Sequence, residues 1–104
     1  MIGQTIKDNR YRITIEEVNS ELENHKTLQF EFEDREDLFN VIDKINKGSG
    51  LEAPLATRVA VALRLLGPVM MQNSKHALFA DFMPHFKTFM HKLKSTVKSA
   101  VKDK

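Results

Sequence analysis

Hydrophobic residues change their spacing once along this chain, near residue 34. Before that point they recur at every second position, in RYRITIEEV and again in TLQFEFED. After it they recur mostly at every third or fourth position. Period two is typical of a β-strand buried on one face, and the longer period is typical of an amphipathic helix. The chain is therefore predicted to form two strands followed by helices.

The two predicted strands are suited to an antiparallel hairpin. Their alternating apolar residues are Tyr11, Ile13 and Ile15, and then Leu28, Phe30 and Phe32. The polar segment at 19–26 has about the length of an extended hairpin loop. A two-stranded sheet is marginal alone, and its open edges invite pairing with another chain.

A first helix is predicted over residues 35–47. Its apolar residues at helical spacing are Leu38, Val41, Ile42 and Ile45. Asp34 is a candidate cap for the helix N-terminus, and Gly48 suits the left-handed position after its C-terminus. We expect Ile42 to lie in the core, so that an aspartate there would unfold the domain.

A second helix is predicted to begin at Pro54 or Leu55 and is apolar nearly all round. One face holds Leu55, Val59, Ala62, Leu63 and Leu66, whereas Val61 and Leu65 point to the other side. Such a helix must be covered on more than one side, either within the domain or by a second subunit. Val61 and Leu65 are therefore the candidate dimer interface. Pro68 is expected to kink or restart the helix.

Two features follow the second helix. Met70 and Met71 are interpreted as fillers of the core, although paired methionines also occur in adaptable hydrophobic grooves. Further on, a stripe at helical spacing predicts a core face of a last helix. Its members are Phe82, Phe86, Phe89, Met90, Leu93 and Val97.

The opposite face of this last helix is basic. The candidate basic surface consists of Lys87, Lys94, Lys98 and Lys102, with His91 on the same face. No interleaved aromatic residue or reading motif accompanies it, so we interpret it as a solvated face and keep nucleic-acid binding as the alternative. His85 and His91 lie about 120° apart around the helix, which argues against a shared metal ion.

Charge is distributed unevenly along the chain. Residues 1–54 contain 7 Lys/Arg and 12 Asp/Glu, whereas residues 55–104 contain 9 and 2. Such asymmetry can mark a basic binding surface, or it can let one half dock on the other within a chain or between two chains. We expect docking.

Neither a leader nor a catalytic motif is recognised. The chain contains no cysteine, and its first residues lack the apolar core of a signal peptide, so we expect a soluble cytoplasmic protein without membrane association. No phosphate loop, nucleophile elbow or zinc-binding HExxH is present. We therefore assign no catalytic, cofactor-binding or metal-binding residue and expect no enzyme and no cofactor.

Three stretches resemble a small family of uncharacterised bacterial proteins catalogued as a domain of unknown function. They are YRITIEEV, LQFEFEDREDLFNVIDKI and LGPVMMQNSKHALFADFMPHFKTFMHKLK, and together they cover roughly residues 10–94. The resemblance implies a compact α+β domain and a bacterial source, and it supplies no functional residues. The end segments MIGQTIKDN and STVKSAVKDK extend beyond it, so any role of the lysine tail is particular to this protein.

The expected architecture is a single α+β domain over residues 1–104, with a basic C-terminal tail over 95–104 that can fray. It has an antiparallel β-hairpin followed by three to four helices packed on one face. The expected function is a non-catalytic protein interaction or regulatory module that acts as a homodimer and binds an unidentified protein partner. The dimer can form through the strands or through the second helix. Nucleic-acid association through the basic helix face is the alternative.

Overall fold

The structure, a computed structural model, describes residues 9–19 and 26–102, and for residues 101 and 102 only the helical backbone. The elements are β1 (Asn9–Glu16), β2 (Thr27–Asp34), α1 (Leu38–Gly48), α2 (Ala53–Gln72), α3 (Ala77–Ala80) and α4 (Met83–Lys102). This order confirms the predicted α+β class, an antiparallel hairpin followed by helices.

The chain divides into two compact units. Residues 1–37 contain the hairpin, and residues 38–104 contain the helices. The expectations of one domain over 1–104, of helices packed on one face of the strands and of a tail that frays stay predictions. Part of the predicted hairpin loop, residues 20–25, lies outside the described residues.

The hairpin is antiparallel, as predicted, and its register pairs the apolar residues of the two strands. Ile13 lies opposite Phe30 and Ile15 opposite Leu28, while Tyr11 lies opposite Phe32. The rings of this last pair have their centroids 5.6 Å apart. Because side chains alternate across a strand, all three pairs share one face of the hairpin.

The end of β2 differs from the prediction that Asp34 caps the first helix. Asp34 Oδ1 accepts a hydrogen bond of 3.0 Å from the backbone N–H of Glu36, and α1 begins only at Leu38. Asp34 lies too far before α1 to cap it and instead closes a local turn. The carbonyl of Glu36 also accepts hydrogen bonds from Asn9 Nδ2 (3.2 Å) and Tyr11 Oη (3.4 Å), which ties this turn to β1.

The helical unit has two buried clusters. The first joins Ile45 of α1 to Ala56 and Ala60 of α2, both of which are 0% exposed. Partly buried Val41, Ile42 and Leu93 pack against this cluster. The second joins Met70 of α2 to Met83 and Phe86 of α4, with Leu63, Phe79 and Met90 packed around them.

The predicted role of Gly48 is wrong. Gly48 is the last residue of α1 and is buried, and the left-handed backbone belongs to Gly50, with φ of 88°. A Cβ atom on Gly48 would lie 2.9 Å from the Cα atom of Val97 in α4. Gly48 therefore serves a close approach of two helix backbones rather than a helix end.

α2 differs from its prediction in two respects. Its buried residues are Ala56, Ala60, Gly67 and Met70, whereas Leu55, Ala62 and Leu66, which were placed on one apolar face, are exposed. The helix also continues through Pro68 to Gln72 without a restart. Burial of Met70 beyond the proline favours continuation, because tertiary packing can outweigh the local cost of proline.

The core stripe of α4 is also partly corrected. Met83 and Phe86 are buried and Met90, Leu93 and Val97 are half-buried, which gives a regular alternation of three-residue and four-residue steps. Phe82 and Phe89, which were predicted to share this stripe, are each 47% exposed. They lie on its flank, because each is displaced by one residue from a core position.

α2 is long and apolar enough to cross a membrane when length and composition alone are considered. Core helices of water-soluble proteins meet the same criterion. This property on its own gives no clear indication of a membrane protein.

Candidate functional site

The predicted basic surface lies on the exposed side of α4. Lys87, Lys94 and Lys98 are exposed, and so is His91. The side chain of Lys102 lies outside the described residues. Among the described residues, no carboxylate forms an ion pair with any of these three lysines.

Part of this surface forms one wall of a groove between α2 and α4, with a volume of about 410 Å³. Lys87, His91 and Lys94 line it from α4, and Arg64 lines it from α2. Lys98 is not part of the lining. The groove therefore divides the predicted basic surface into residues that line a concave site and a residue that does not.

The floor of the groove is apolar. Leu63 and Met71 contribute from α2, and Phe86 and Met90 contribute from α4. Gly67 gives the floor its depth, since a Cβ atom there would lie 3.6 Å from Cζ of the Phe86 ring. The groove thus combines an apolar floor with cationic walls.

The groove carries no compensating negative charge of its own. Its lining contains no aspartate or glutamate. α2 and α4 together contain seven Lys/Arg residues and no acidic residue at all. The site is therefore suited electrostatically to an anionic ligand.

The lysines of this site were predicted from the sequence, whereas the groove was not. Met71, predicted to be a core residue with Met70, is 56% exposed and lines the groove, whereas Met70 is 1% exposed and lies in the core. The adjacent methionines were a usable signal, because an adaptable groove was one interpretation of them. Which turn of α2 would face α4 could not be deduced from the apolar pattern alone.

A second candidate surface is the outer face of α2. Leu55, Leu66 and Val69 are 45%, 44% and 46% exposed, and Ala62 lies between them on the same side. The predicted interface residues Val61 and Leu65 are half-buried and lie beside this face. We call Leu55, Ala62, Leu66 and Val69 the outer face of α2.

The hairpin differs from the helices in pairing its charges internally. Arg10 Nη1 lies 2.7 Å from Glu33 Oε2, and Arg12 Nη2 lies 2.9 Å from Glu31 Oε2. Arg10 Nε also lies 3.1 Å from Glu31 Oε1. Hydrogen bonds from Arg12 and then Arg10 lower the pKa of Glu31 below its ordinary value. The opposite, apolar face is open near its end, where Ile15 and Leu28 are 55% and 58% exposed.

The described residues offer little for bond-making chemistry. No three His, Asp or Glu side chains within the described ranges come together as a metal site. The groove lining has no hydroxyl, thiol or carboxylate beside His91. A nucleophile held by a base, or a base held by a carboxylate, is thus not assembled in the groove from this lining.

Comparison with known proteins gives a fold and no assigned chemistry. The family model DUF3861, a domain of unknown function with a solved structure, matches residues 9–95. A crystal structure of a protein of unknown function from Pectobacterium atrosepticum has a TM-score of 0.76 and 38% identity, over 86% of this chain and 99% of that chain. No curated protein matches significantly. The resemblance identified over residues 10–94 is confirmed.

Proposed function

The chain belongs to the DUF3861 family, and we propose that this member is a non-catalytic interaction module that acts as a homodimer. The observation that carries the proposal is the outer face of α2. Exposed apolar side chains are common one at a time, but a contiguous stripe of them is typical of an interaction surface. Leu55, Leu66 and Val69 form such a stripe, about 21 Å long at 1.5 Å per residue.

A second copy of the same helix is the occupant that fits this stripe. Antiparallel packing about a twofold axis at Ala62 would place Leu55 against Val69 of the partner subunit. The small side chain of Ala62 at the centre would let the two backbones approach closely. The same register would place Leu66 against Arg58 of the partner subunit, whose aliphatic stem can cover it. Val61 and Leu65 would lie on the flank of this interface.

Replacing Leu66 with Lys tests the dimer. Under the proposed register the new lysine faces Arg58 of the partner subunit, and this contact occurs twice per dimer. The dissociation constant of the dimer should therefore rise about tenfold or more. Because Leu66 is 44% exposed, the monomer should keep its fold. Sedimentation velocity over a range of concentrations measures the association, and circular dichroism on the same samples measures the fold.

The matched control is Leu78→Lys, which adds the same charge at an apolar position that is 74% exposed on α3. It should leave the dimer unchanged. An unmodified protein that stays monomeric at high concentration would contradict the dimer. Equal weakening by both variants would contradict the assignment to α2. Val61→Lys with Leu65→Lys is less decisive, since both residues are half-buried and the monomer itself could be destabilised.

The non-catalytic part of the proposal rests on the chemistry of the groove. Its lining provides cations and apolar surface, which bind and orient an anion, and one imidazole without a carboxylate beside it. This composition suits recognition more than acid–base or nucleophilic chemistry.

A bacterial source and a cytoplasmic location belong to the same proposal. The similar crystal structure is of a bacterial protein, and the absence of cysteine suits a reducing compartment.

Nucleic-acid association is the second candidate function. It is favoured by the exposed lysines of α4, at positions 87, 92, 94 and 98, which form no ion pair with a carboxylate among the described residues. Binding through phosphates should weaken steeply as salt is added, in proportion to the number of contacts. Sequence-selective binding to duplex DNA that is still measurable at physiological salt, and that weakens further as more salt is added, would favour this candidate over the interaction module.

A further inference from the structure

We infer that the groove between α2 and α4 binds an acidic amphipathic helix contributed by another protein. This inference names a partner class for the proposed interaction module and rests on that part of the proposal. It does not rest on the homodimer, because the groove and the outer face of α2 use different sides of α2. Three properties of the groove lead to it: its shape, its charge and the nature of its floor.

The shape favours a helical segment over a small molecule. The groove runs along α2 from Leu63 to Met71 and along α4 from Phe86 to Lys94, about 12 Å on each helix at 1.5 Å per residue. Met71 and Lys94 are exposed, so the groove is an open trough rather than a closed cavity. Small-molecule sites usually bury most of their ligand. An open trough between two helices instead suits the apolar face of a third helix about two turns long.

The charge selects the sign of the partner. Arg64 stands on one wall, and Lys87 and Lys94 stand on the other. Lys87 and Lys94 are seven residues apart, which places them on the same side of α4, two turns from each other. A helix whose apolar residues enter the trough would direct its flanking residues toward these walls. Aspartate and glutamate at those flanking positions would meet cations on both sides.

The floor gives adaptable contact rather than a fixed shape. Met71 and Met90 lie on opposite helices of the trough, and their unbranched side chains can adjust to different apolar residues. Phe86 is 7% exposed and supplies a rigid base between them. We therefore expect recognition of a pattern, with apolar residues at every third or fourth position and acidic residues beside them, rather than of one sequence.

A synthetic 16-residue peptide with a leucine stripe at helical spacing and glutamate at the flanking positions is the probe. Added to the full-length isotope-labelled protein, it should shift the amide NMR signals of α2 and α4 residues along the trough. A peptide with lysine in place of every glutamate should not bind. A scrambled peptide has the acidic composition but lacks the leucine stripe, so its Kd should be higher by about tenfold or more. Equal binding of all three peptides, or no binding of the acidic one, would overturn the inference.

Two pairs of charge reversals locate the binding. Lys87→Glu with Lys94→Glu changes the wall of the trough and should raise the Kd of the acidic peptide about tenfold or more. Lys92→Glu with Lys98→Glu makes the same change in charge on the same helix, at exposed residues outside the trough, and should have a much smaller effect. Equal losses from the two pairs would show a general electrostatic attraction and would also overturn the inference.

Three further measurements distinguish peptide binding in the groove from the proposed dimer and from nucleic-acid binding. Leu66→Lys should dissociate the dimer and leave peptide binding intact, so either proposal can fail without the other. Met71→Gln removes exposed apolar surface from the trough and should weaken the peptide, whereas Leu78→Gln, outside the trough, should not. Random-sequence duplex DNA that binds more tightly than the acidic peptide at physiological salt, and that displaces it, would assign the groove to nucleic acid instead.

Discussion

The two units of this chain use charge in opposite ways. Residues 1–37 contain 5 Lys/Arg and 10 Asp/Glu, whereas residues 38–104 contain 11 and 4. In the hairpin, Arg10 and Arg12 form ion pairs with Glu31 and Glu33 across the strands. In the helical unit, Asp43 forms an ion pair with Lys47 within α1, with 3.1 Å between Oδ2 and Nζ.

The net charge of each unit does not show which of its charges are used in internal ion pairs. The hairpin unit is acidic overall, yet its Arg10 and Arg12 form cross-strand ion pairs that stabilise the register of the two strands. Lys87, Lys92, Lys94 and Lys98 of α4 have no such role, because all four are exposed and form no ion pair with a carboxylate among the described residues. Charges that are not used in folding remain available for binding, which is why the candidate site lies in the helical unit.

The substitution expected to cost the most stability is in the core of the helical unit. Ile45→Asp places a carboxylate in the cluster with Ala56 and Ala60, at a side chain that is 6% exposed. A buried unpaired charge costs several kcal/mol, comparable with a total stability of about 5 to 15 kcal/mol. We expect the helical unit to unfold, as measured by circular dichroism and thermal denaturation.

Phe39→Asp is the control for this change. It is on the same helix and adds the same charge, but Phe39 is 70% exposed, so the thermal midpoint should move little. The sequence-based choice for the same experiment, Ile42→Asp, should have a smaller effect than Ile45→Asp, because Ile42 is only half-buried. A folded Ile45→Asp protein would show that this cluster is not the core.

A smaller effect is expected from Gly48→Ala, and its sign is the test. In an ordinary helix the change stabilises by roughly 0.5 to 1 kcal/mol. Here the new Cβ atom would lie 2.9 Å from the Cα atom of Val97, so α1 and α4 must separate. Overpacking of this kind typically costs about 1 to 3 kcal/mol. Chemical denaturation measures the difference, and a more stable variant would contradict the close approach of the two helices.

The sequence predicted the hairpin better than the helices for a physical reason. Period two leaves one choice of apolar face, so Tyr11, Ile13 and Ile15 could be assigned to the same face of β1 from the sequence alone. In α2 the apolar residues surround the helix, so hydrophobicity alone did not determine which face is buried. Ala56, Ala60, Gly67 and Met70 are buried, while Leu55 and Leu66 are exposed although both are strongly apolar.

The candidate site shows the same limit. Lys87 and Lys94 were identified from their spacing, because a stripe on one helix can be derived from one helix alone. The groove is formed by two helices, and Met71 and Arg64 line it because of the way α2 is oriented against α4. Pairs of helices are fixed by packing between distant parts of the chain, which local periodicity does not encode.

A still smaller change is expected when the ion pairs of the hairpin are removed one at a time. Hydrogen bonds from Arg12 contribute most to lowering the pKa of Glu31, and those from Arg10 contribute next. Arg12→Gln should therefore raise the pKa of Glu31 toward its ordinary value, and Arg10→Gln should raise it less. Titration of the Glu31 carboxyl carbon by NMR measures both shifts. Equal shifts, or none, would contradict the internal pairing of charge in the hairpin.

The sign of the accompanying pH dependence follows from the direction of the shift. A carboxyl group whose folded pKa lies below its unfolded pKa stabilises the folded state above the unfolded value. That contribution is lost as the pH falls through the folded value. Because Glu31 and its arginine partners are exposed to solvent, the loss should be small and should shrink further as salt is added. Hairpin stability should thus decline slightly in acid in the unmodified protein, and less in the Arg12→Gln variant. An acid dependence that persists unchanged without Arg12 would mean that another carboxylate is responsible.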